Sequence, residues 1–519
     1  MTKTAKTTAA TGQAGEVLDV LVIGAGFSGV CTGIKLLENG VSNFRIIEKS
    51  QGIGGTWYDN TYPGAACDVP SHLYCFSFEP NPGWTRVYSL QPEIQKYVEH
   101  CVDKYGLRPF IEHGVKLEEL RFDDESGVWR ASYQDGRQQL ARHVISGAGG
   151  LHEPSYPDIP GRESFGGPSM HTARWDHDVD LAGKRVAVIG TAASAIQAIP
   201  EIARVAGKLF VFQRTPNYIA PRMDRAYTDK EKARFAKWPR FARLYRWFIF
   251  MRMELLLFPL TRKDSRLGRA GGKRLKQRMR NEVRNPALHK ALEPDYTLGC
   301  KRILTSDDFY RTLNRDNVQI ITAGIERIEP HRIVTADQAI DVDVIVFATG
   351  FDIDAHTRSI RVYGQQGRSL QEEWLNGPEA YQGACVSGFP NYYLVTGPNT
   401  GVGTTSVVYM IEQQVDFIMK LIKLANHEKV VSVRQDAQQE YNARIHADLK
   451  NSVWASGCKS WYLRPDGKIA TLYPYNARSF AAQSRRVNLS HFDLLPIPSD
   501  EATESMTSAA LPASAASHS

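Results

Sequence analysis

Two short segments of this chain have the residue types that bind a dinucleotide. The first, GAGFSG at residues 24–29, follows an apolar run that starts at Asp19 and precedes a helix-length segment. In such a strand–turn–helix unit, the first glycine permits a tight turn, the second lets the backbone approach a pyrophosphate, and the third lets the helix pack on the strand. The free N–H groups at the start of the helix then face the phosphates. Gly24, Gly26 and Gly29 are therefore predicted to bind a dinucleotide.

The residue expected at the ribose of this first unit is acidic. Glu48 ends the next apolar segment, FRII, twenty-four residues after Gly24. Its carboxylate would accept hydrogen bonds from the ribose hydroxyls and would repel a 2′-phosphate. The first unit is thus expected to bind FAD or NAD.

A second unit of the same kind begins at Lys184 and contains the segment GTAASA. Its central position is alanine rather than glycine, and the methyl group is expected to push the pyrophosphate outward or to weaken its binding slightly. A packing turn that binds nothing is the alternative interpretation. The candidate contacts to the nucleotide are Gly190, Thr191, Ala192, Ser194 and Ala195.

The second unit differs from the first at the ribose. Arg214 lies twenty-four residues after Gly190, in the position where the first unit has Glu48. A guanidinium binds a 2′-phosphate through charge-assisted hydrogen bonds, so the second nucleotide is predicted to be NADPH. One acidic and one basic unit in one chain indicate hydride transfer from NADPH to FAD. No redox-active cysteine pair follows the first unit, so oxygen is the expected electron acceptor.

Composition narrows the class of protein further. The chain has 519 residues, of which 42% are hydrophobic and 23% charged, with a net charge of +7. These values favour globular domains over disorder, and we find neither a transmembrane stretch nor a secretory signal in the sequence. The seven cysteines are scattered, without C-x-x-C or zinc-ligand spacing. Reduced cysteines, a cytoplasmic location and no metal site are therefore expected.

The two units must be positioned by an α/β fold with two dinucleotide-binding (Rossmann-like) domains, one for FAD and one for NADP, and a helical insertion. The chain returns to each domain, because strand patterns recur at NVQIITAG and VDVIVFATGFD. Residues 151–181, rich in Gly, Pro and His, are interpreted as a linker. The predicted boundaries are 1–16, disordered N-terminus; 17–155 and 346–496, FAD-binding domain; 156–220 and 298–345, NADP-binding domain; 221–297, helical insertion; and 497–519, disordered tail.

Two longer motifs resemble those of Baeyer–Villiger monooxygenases. FGGPSMHTARWD at residues 165–176 matches the family fingerprint F-x-G-x-x-x-H-x-x-x-W-[P/D]. GGTWYDNTYPGAACD at residues 54–68 matches a second family motif, [A/G]-G-x-W-x-x-x-x-[F/Y]-P-[G/M]-x-x-x-D. The related flavin-containing monooxygenases end the first motif differently, and Trp175-Asp176 argues against them. The resemblance extends from about Asp19 to Asn488.

This resemblance implies roles for individual residues. Arg302 resembles the catalytic arginine, and Asp68 the aspartate that supports it near the flavin. Lys301 resembles a lysine that contacts the 2′-phosphate together with Arg214 and Thr215, and Trp461 a tryptophan that touches the nicotinamide nucleotide. His171 is interpreted as a hinge residue rather than a proton-transfer group. The residues implied at the flavin are Gly55, Thr56, Trp57, Asp68 and Tyr74, and Arg302 is also implied at NADP.

The family resemblance also implies the reaction. In such enzymes a C4a-peroxyflavin, formed from reduced flavin and O2, attacks a ketone, and migration of a carbon gives an ester or lactone. A permanently charged arginine would stabilise the anionic oxygens. Thr61 and Ala66 stand where many relatives have arginine, which favours hydrophobic ketones that include bulky or polycyclic ones. The alternatives are oxidation of sulfur or nitrogen centres, and a degenerate flavoprotein that binds nucleotides for regulation or membrane association.

The helical insertion combines an apolar patch with a basic run. The patch consists of Trp247, Phe248, Phe250, Leu255, Leu256 and Phe258. Between Arg262 and Arg280 there are nine Lys or Arg and one Asp. A membrane-surface helix is one interpretation, but we favour an insertion that packs on a nucleotide domain, roofs the substrate entrance and exposes a solvated basic face. Nucleic-acid binding and integral membrane association are not expected, and the oligomeric state is not readable.

Overall fold

The computed structural model describes residues 16–352, 358–458, 460, 462–464 and 466–497. Residues 1–15 and 498–519, which form most of the two predicted disordered termini, lie outside the described residues, and so does Trp461.

The strands fall into two principal sheets and three small ones. They are β1 Val17–Ile23, β2 Phe44–Glu48, β3 Ile111–His113, β4 Leu117–Asp123, β5 Val128–Tyr133, β6 Gln138–Ser146, β7 Ser169–His171, β8 Arg185–Ile189, β9 Lys208–Phe212, β10 Ile219–Ala220, β11 Leu304–Thr305, β12 Val318–Ile321, β13 Ile325–Glu329, β14 Arg332–Thr335, β15 Ala339–Asp341, β16 Val344–Phe347, β17 Arg361–Tyr363, β18 Tyr392–Leu394, β19 Lys429–Val433 and β20 Phe492–Pro496.

The helices cover the faces of the sheets and form the insertion. They are α1 Phe27–Glu38, α2 Thr56–Asp59, α3 Gln91–Lys104, α4 Ala193–Val205, α5 Asp229–Lys237, α6 Pro239–Leu257, α7 Arg266–Glu282, α8 His289–Leu292, α9 Phe309–Thr312, α10 Leu370–Glu373, α11 Val407–Ala425, α12 Gln435–Leu449 and α13 Ala477–Ser484. Short 3-10 turns occur at Arg108–Phe110, Arg162–Ser164, Phe258–Thr261, Pro286–Leu288, Gln365–Gly367, Val453–Ala455 and Leu489–His491.

The first sheet contains the first glycine loop. Its strand order is β17-β4-β5-β6-β1-β2-β3, and β18 also pairs with β6. Strand β1 pairs in parallel with β2 and β6, whereas β4, β5 and β6 form an antiparallel meander. Because β1 is covered on both faces, its residues are almost all apolar and buried.

The second sheet contains the second glycine loop. Its five strands have the order β12-β9-β8-β16-β7 and pair in parallel throughout. Strand β8 leads into the loop and α4, so that a βαβ unit with β9 is complete. The predicted α/β fold with two dinucleotide-binding domains is thereby confirmed.

One segment interpreted as a linker is partly a strand. Ser169–His171, within the fingerprint segment, forms the edge strand β7 and pairs with Ile345–Phe347. The interpretation was wrong there because three residues give no recognisable strand pattern, and their pairing partner lies more than 170 residues away in the chain.

The helical insertion packs against both of the other domains. In α6, Ala242, Ile249 and Phe250 are buried in the same apolar cluster as residues of the first domain, and Phe250 contacts Tyr409 with ring centroids 4.8 Å apart. Met279 at the end of α7 joins the core of the second domain. Phe250 is therefore not part of an exposed patch, contrary to the grouping made from the sequence.

The expectation that all cysteines are reduced is also wrong. Cys300 and Cys458 form a disulfide across 158 residues of sequence, and the other five cysteines are free and buried. The sequence could not show this pair, because neither cysteine has a partner nearby in the chain and only the fold brings them together.

Candidate active site

The first glycine loop has the backbone shape that a pyrophosphate needs. Gly24 has φ +92°, and a Cβ there would lie 2.9 Å from the carbonyl oxygen of Gly147. Helix α1 begins after Gly26, and no side chain of the described residues caps its first N–H groups. A Cβ on Gly55 would lie 3.1 Å from Cα of Gly26, so two backbone segments face each other closely. This narrow, uncapped cradle fits the FAD pyrophosphate.

Glu48 holds the first loop in place. One oxygen of its buried carboxylate accepts a hydrogen bond from the backbone N–H of Ala25 at 2.8 Å, and the other accepts one from Ser50 at 2.8 Å. The carboxylate is thus fixed at the carboxyl end of β2, beside the turn. This is the position predicted for a ribose contact.

Aromatic side chains from the second motif lie beside this loop. The indole N–H of Trp57 donates to the hydroxyl of Tyr74 at 3.0 Å, and Phe27 at the start of α1 packs edge-on against Tyr74 at 5.3 Å. The side-chain amide of Gln91 donates to the carbonyl of Trp57. Burial raises the pKa of Tyr74 far above its ordinary value, so the hydroxyl stays protonated. Thr56 starts the short helix α2 that holds Trp57.

The second motif is attached to the second nucleotide unit as well. The hydroxyl of Tyr62 donates to the side-chain oxygen of Gln197 on α4 at 2.8 Å, and the amide of Gln197 donates to the carbonyl of Ala66 at 3.0 Å. Gly64 has φ +80°, and a Cβ there would lie 2.5 Å from the backbone oxygen of Gln197. Only glycine fits this contact, so the motif connects the two domains.

The second glycine loop repeats the first with small changes. Gly190 has φ +113°, and a Cβ there would clash with the carbonyl of Ala348. Ala192 caps α4 at φ −84°, ψ −164°, nearly the values of Gly26 at φ −80°, ψ −167°. Its backbone therefore does not require glycine, and its methyl group is exposed. The hydroxyl of Thr191 donates to the carbonyl of Thr215 at 3.4 Å, which ties the loop to the residue after Arg214.

Arg214 and Lys301 are far apart in the sequence but close enough in the structure for their charges to interact. Burial and the charge of Arg214 lower the pKa of Lys301, while Asp295 opposes this shift. The ammonium of Lys301 lies over the ring of Tyr296, 4.7 Å from its centroid, and Arg214 is exposed. Two neighbouring cations repel each other until an anion lies between them, which fits the 2′-phosphate of NADPH.

Asp68 and Arg302 form an ion pair. A terminal nitrogen of the Arg302 guanidinium donates to a carboxylate oxygen of Asp68, across 234 positions of sequence. The charge of Asp68 raises the pKa of Arg302, so the arginine is always cationic. Its side chain remains 47% accessible, whereas that of Asp68 is 28% accessible. A fixed cation with one open face is thus held next to the aromatic side chains of the flavin motif.

The disulfide lies directly beside these residues. Cys300 immediately precedes Lys301 and Arg302, and Cys458 lies two residues before Ser460 and four before Tyr462. Burial raises the pKa of Tyr462 to about 12, while the charge of Arg302 lowers it. The covalent bond therefore joins the arginine segment to the segment that contains Trp461, whose own position lies outside the described residues.

His171 is buried within the second sheet. Its Nδ1 accepts a hydrogen bond from the N–H of Ala173 at 3.0 Å, and its pKa is lowered to about 4 by burial and then by Arg174. The histidine is therefore neutral at ordinary pH and is held in strand β7. The hinge role stays a prediction.

Sequence reasoning missed several contacts at this site. These are the Tyr62–Gln197 pair, the disulfide, and Arg222, which donates to the carbonyl of Cys67 at 2.9 Å. In the sequence Gln197 lies within an ordinary helical pattern, so nothing there indicates that it contacts the second motif. The sequence shows that Cys300 directly precedes Lys301 and Arg302, but it does not show that Cys458 is its disulfide partner.

The described part of the chain has no cluster of three or more His, Cys, Asp or Glu side chains that could hold a metal ion. Among the helices in that part, none has the length and apolar character needed to cross a bilayer.

Comparison with known proteins agrees with this geometry. Residues 21–228 match the family described as pyridine nucleotide-disulphide oxidoreductase. A Baeyer–Villiger monooxygenase of Pseudomonas aeruginosa is 41% identical over 504 residues, covering 95% of this chain and 94% of the relative. One from Streptomyces coelicolor is 40% identical over 492 residues, covering 94% of each chain.

Solved structures are similar over nearly the whole chain. An oxidized steroid monooxygenase bound to NADP has a TM-score of 0.84 at 32% identity, covering 92% of this chain and 100% of the other. The closed crystal structure of cyclohexanone monooxygenase has a TM-score of 0.85 at 27% identity, covering 93% and 99%.

The two glycine loops, each between a parallel strand and a helix, together with these relatives define an NADPH-dependent flavoprotein monooxygenase that uses FAD. With relatives at this identity along its length, the chain belongs to the family of Baeyer–Villiger monooxygenases.

Proposed function

We propose that this enzyme oxidises hydrophobic ketones, cyclic, bulky and polycyclic ones among them, to esters or lactones with NADPH and O2. The observation that carries the proposal is the Asp68–Arg302 pair beside the flavin motif. A permanent cation with an accessible face is the group needed where negative charge develops on reacting oxygen atoms.

The role proposed for each residue follows from its surroundings. Bound FAD, once reduced by NADPH, would activate O2 for the transfer of one oxygen atom. Arg302 would stabilise the negative charge on the oxygens of the substrate adduct, and Asp68 would keep the guanidinium in place. Trp57 and Tyr74 would form an apolar wall at the flavin, where water is displaced and the charge of Arg302 acts more strongly.

The second nucleotide would be held by the second loop and by two cations. Gly190, Thr191, Ser194 and Ala195 would contact the pyrophosphate through the loop and the start of α4. Arg214, Lys301 and Thr215 would surround the 2′-phosphate.

Similarity to a steroid monooxygenase supports the inclusion of polycyclic ketones. Thr61 and Ala66, which stand where many relatives have arginine, support this inclusion to different degrees. The hydroxyl of Thr61 lies 2.9 Å from Nε2 of His177, at an exposed position. Ala66 is buried, so its effect on an entrance would be indirect.

We place the enzyme in the cytoplasm, where NADPH is produced. The sulfur atoms of the disulfide would be protected there by burial, since Cys300 is 0% and Cys458 9% exposed. We also propose this division of the chain into domains, because each principal sheet takes its strands from separate parts of the chain. The return to the first domain would follow β16, which ends at Phe347.

Arg302→Ala tests the proposed chemistry. The variant should retain FAD and oxidise NADPH, but should release hydrogen peroxide, with ester formation lowered at least about 10²–10³-fold. Lys301→Ala is the matched control, because it removes the neighbouring cation and should raise the KM for NADPH without uncoupling.

The products are to be measured with a panel of cyclic, linear and polycyclic ketones and with a sulfide. Ester formation by Arg302→Ala at the parent rate would make the pair a structural ion pair. Loss of ester in Lys301→Ala instead would move the catalytic role to that lysine. Turnover of the sulfide without any ketone would favour oxidation at sulfur or nitrogen.

A further inference from the structure

Helix α6, Pro239–Leu257, is apolar on the side that faces away from the protein. Its inner side chains Ala242, Ile249 and Phe250 are buried. On the other side Leu244, Trp247, Phe248 and Leu255 are 60%, 57%, 55% and 65% exposed. Their spacing of three and four residues places them along one face of the helix, together with the partly buried Met251. We call this stripe the outer face of α6.

Such a face is unusual for a protein surface in water. Scattered exposed leucines are common, but a stripe of a tryptophan, a phenylalanine and two leucines on one helix marks a surface that binds something apolar. Trp238 just before the helix is 57% exposed, and Leu256 at its end 60% exposed. Further exposed apolar residues therefore occur near both ends of the helix.

The exposed charged residues of α6 are all positive. From Lys232 to Met253 the sequence contains no Asp or Glu, and in this stretch Lys237, Arg240, Arg243 and Arg252 are exposed. None of these four takes part in an ion pair with any described residue, whereas Arg246 points inward and donates to the carbonyls of His72, Leu73 and Cys75. Uncompensated arginines thus border the apolar stripe on both sides.

An apolar stripe beside uncompensated arginines favours one kind of binding partner over others. A second copy of the chain would bring arginine against arginine, which is unfavourable at short distance. Nucleic acid would neutralise the arginines but would leave the leucines in water. An anionic bilayer surface satisfies both features, because the apolar side chains enter the acyl boundary and the arginines reach lipid phosphates.

We propose that the outer face of α6 docks this enzyme on membranes that contain anionic phospholipids, with the helix lying in the plane of the interface. The interaction is peripheral and reversible. It is independent of the proposed reaction, because it needs neither NADPH nor a ketone.

The test uses the FAD-loaded full chain and vesicle flotation. Vesicles of phosphatidylcholine are compared with vesicles that also contain about 30% phosphatidylglycerol, at low and at high salt. The enzyme should float with the anionic vesicles at low salt, bind the neutral ones at least about tenfold more weakly, and lose most binding at high salt.

Matched variants show whether α6 is responsible. Leu244→Ser should weaken binding to anionic vesicles about tenfold, whereas Leu375→Ser, at another exposed leucine, should not change it. Arg240→Gln/Arg243→Gln should weaken binding about tenfold to thirtyfold. Arg311→Gln/Arg315→Gln, an exposed arginine pair on and just after α9, should leave it unchanged.

Folding of the variants is checked by FAD content and thermal stability, and all these positions are on the surface. No binding to anionic vesicles, equal binding to neutral ones, or binding that Leu244→Ser and the arginine pair leave intact would each overturn the proposal. A dimer in size-exclusion chromatography that Leu244→Ser dissociates would also overturn it, since a second copy would then occupy the face.

Discussion

The cations Arg214 and Lys301 should determine which nicotinamide coenzyme the enzyme uses. One charge-assisted hydrogen bond to a phosphate contributes about 1.5–3 kcal/mol. Arg214 is exposed, so solvent screening places its contribution near the lower end, about 1.5–2 kcal/mol, or a change of about twelvefold to thirtyfold in affinity. Arg214→Ala should therefore raise the KM for NADPH by about this factor.

The assay is steady-state oxidation of NADPH and of NADH at saturating ketone. The KM for NADH should hardly change in Arg214→Ala, because that coenzyme has no 2′-phosphate to lose. Arg204→Ala, at an exposed arginine of α4 that pairs with Glu201, is the control and should alter neither coenzyme. An unchanged preference for NADPH in Arg214→Ala would refute the assignment of this site.

The pH dependence gives a second measurement of the same site. Burial and Arg214 lower the pKa of Lys301, so this lysine loses its proton at a lower pH than an ordinary lysine. The protonated form binds the phosphate, so the KM for NADPH should rise on the alkaline side while that for NADH does not. In Arg214→Gln the rise should move to higher pH, because the repelling charge is gone. A rise shared equally by both coenzymes would contradict this account.

Three further outcomes are expected. Ala192→Gly should leave flavin content unchanged and tighten NADPH less than about tenfold in titrations, because the backbone at this position already has the conformation of Gly26. Thiol titration in denaturant should find five free cysteines rather than seven, and Cys458→Ser should lower the free energy of unfolding by about 2–4 kcal/mol, seen as a lower Tm. His143 is buried neutral with its pKa lowered to about 3, so the unfolded state takes up a proton that the folded state does not as the pH falls below about 6.5. This histidine should cost about 2 kcal/mol of stability between about pH 7 and pH 5, and His143→Asn should reduce the pH dependence of the Tm.

Much of the fold was predictable because its signals are local. The glycine loops, the apolar strands before them and the helices after them each lie within about 30 residues, where periodicity and turn chemistry are readable. Pairings between distant segments were not predictable. Strands β17 and β18 return to the first sheet with three residues each, and β7 joins the second sheet from a segment without strand character.

In the insertion, the sequence correctly indicates an apolar helix but does not show which of its apolar residues are buried. Phe250 and its neighbours Phe248 and Leu255 are equally apolar in the sequence. Only Phe250 points to the core, because its contact is Tyr409 on α11, a helix 150 residues later. Which apolar face of a helix is covered depends on such distant partners, and the sequence contains no local record of them.

The candidate catalytic pair also depends on contacts between residues that are far apart in the sequence. Asp68 belongs to the motif that follows the first nucleotide unit, and Arg302 follows the helical insertion. Tyr62 and Gly64 attach the motif of Asp68 to Gln197 on α4 of the second unit, while the Cys300–Cys458 disulfide fixes the segment of Arg302 to the carboxyl-terminal part of the first domain. Because each partner is held by contacts to the other domain, the cation can be positioned only when both domains are docked. The proposed reaction needs NADPH on one domain and flavin on the other, and the contacts that join the two domains would place its charged group.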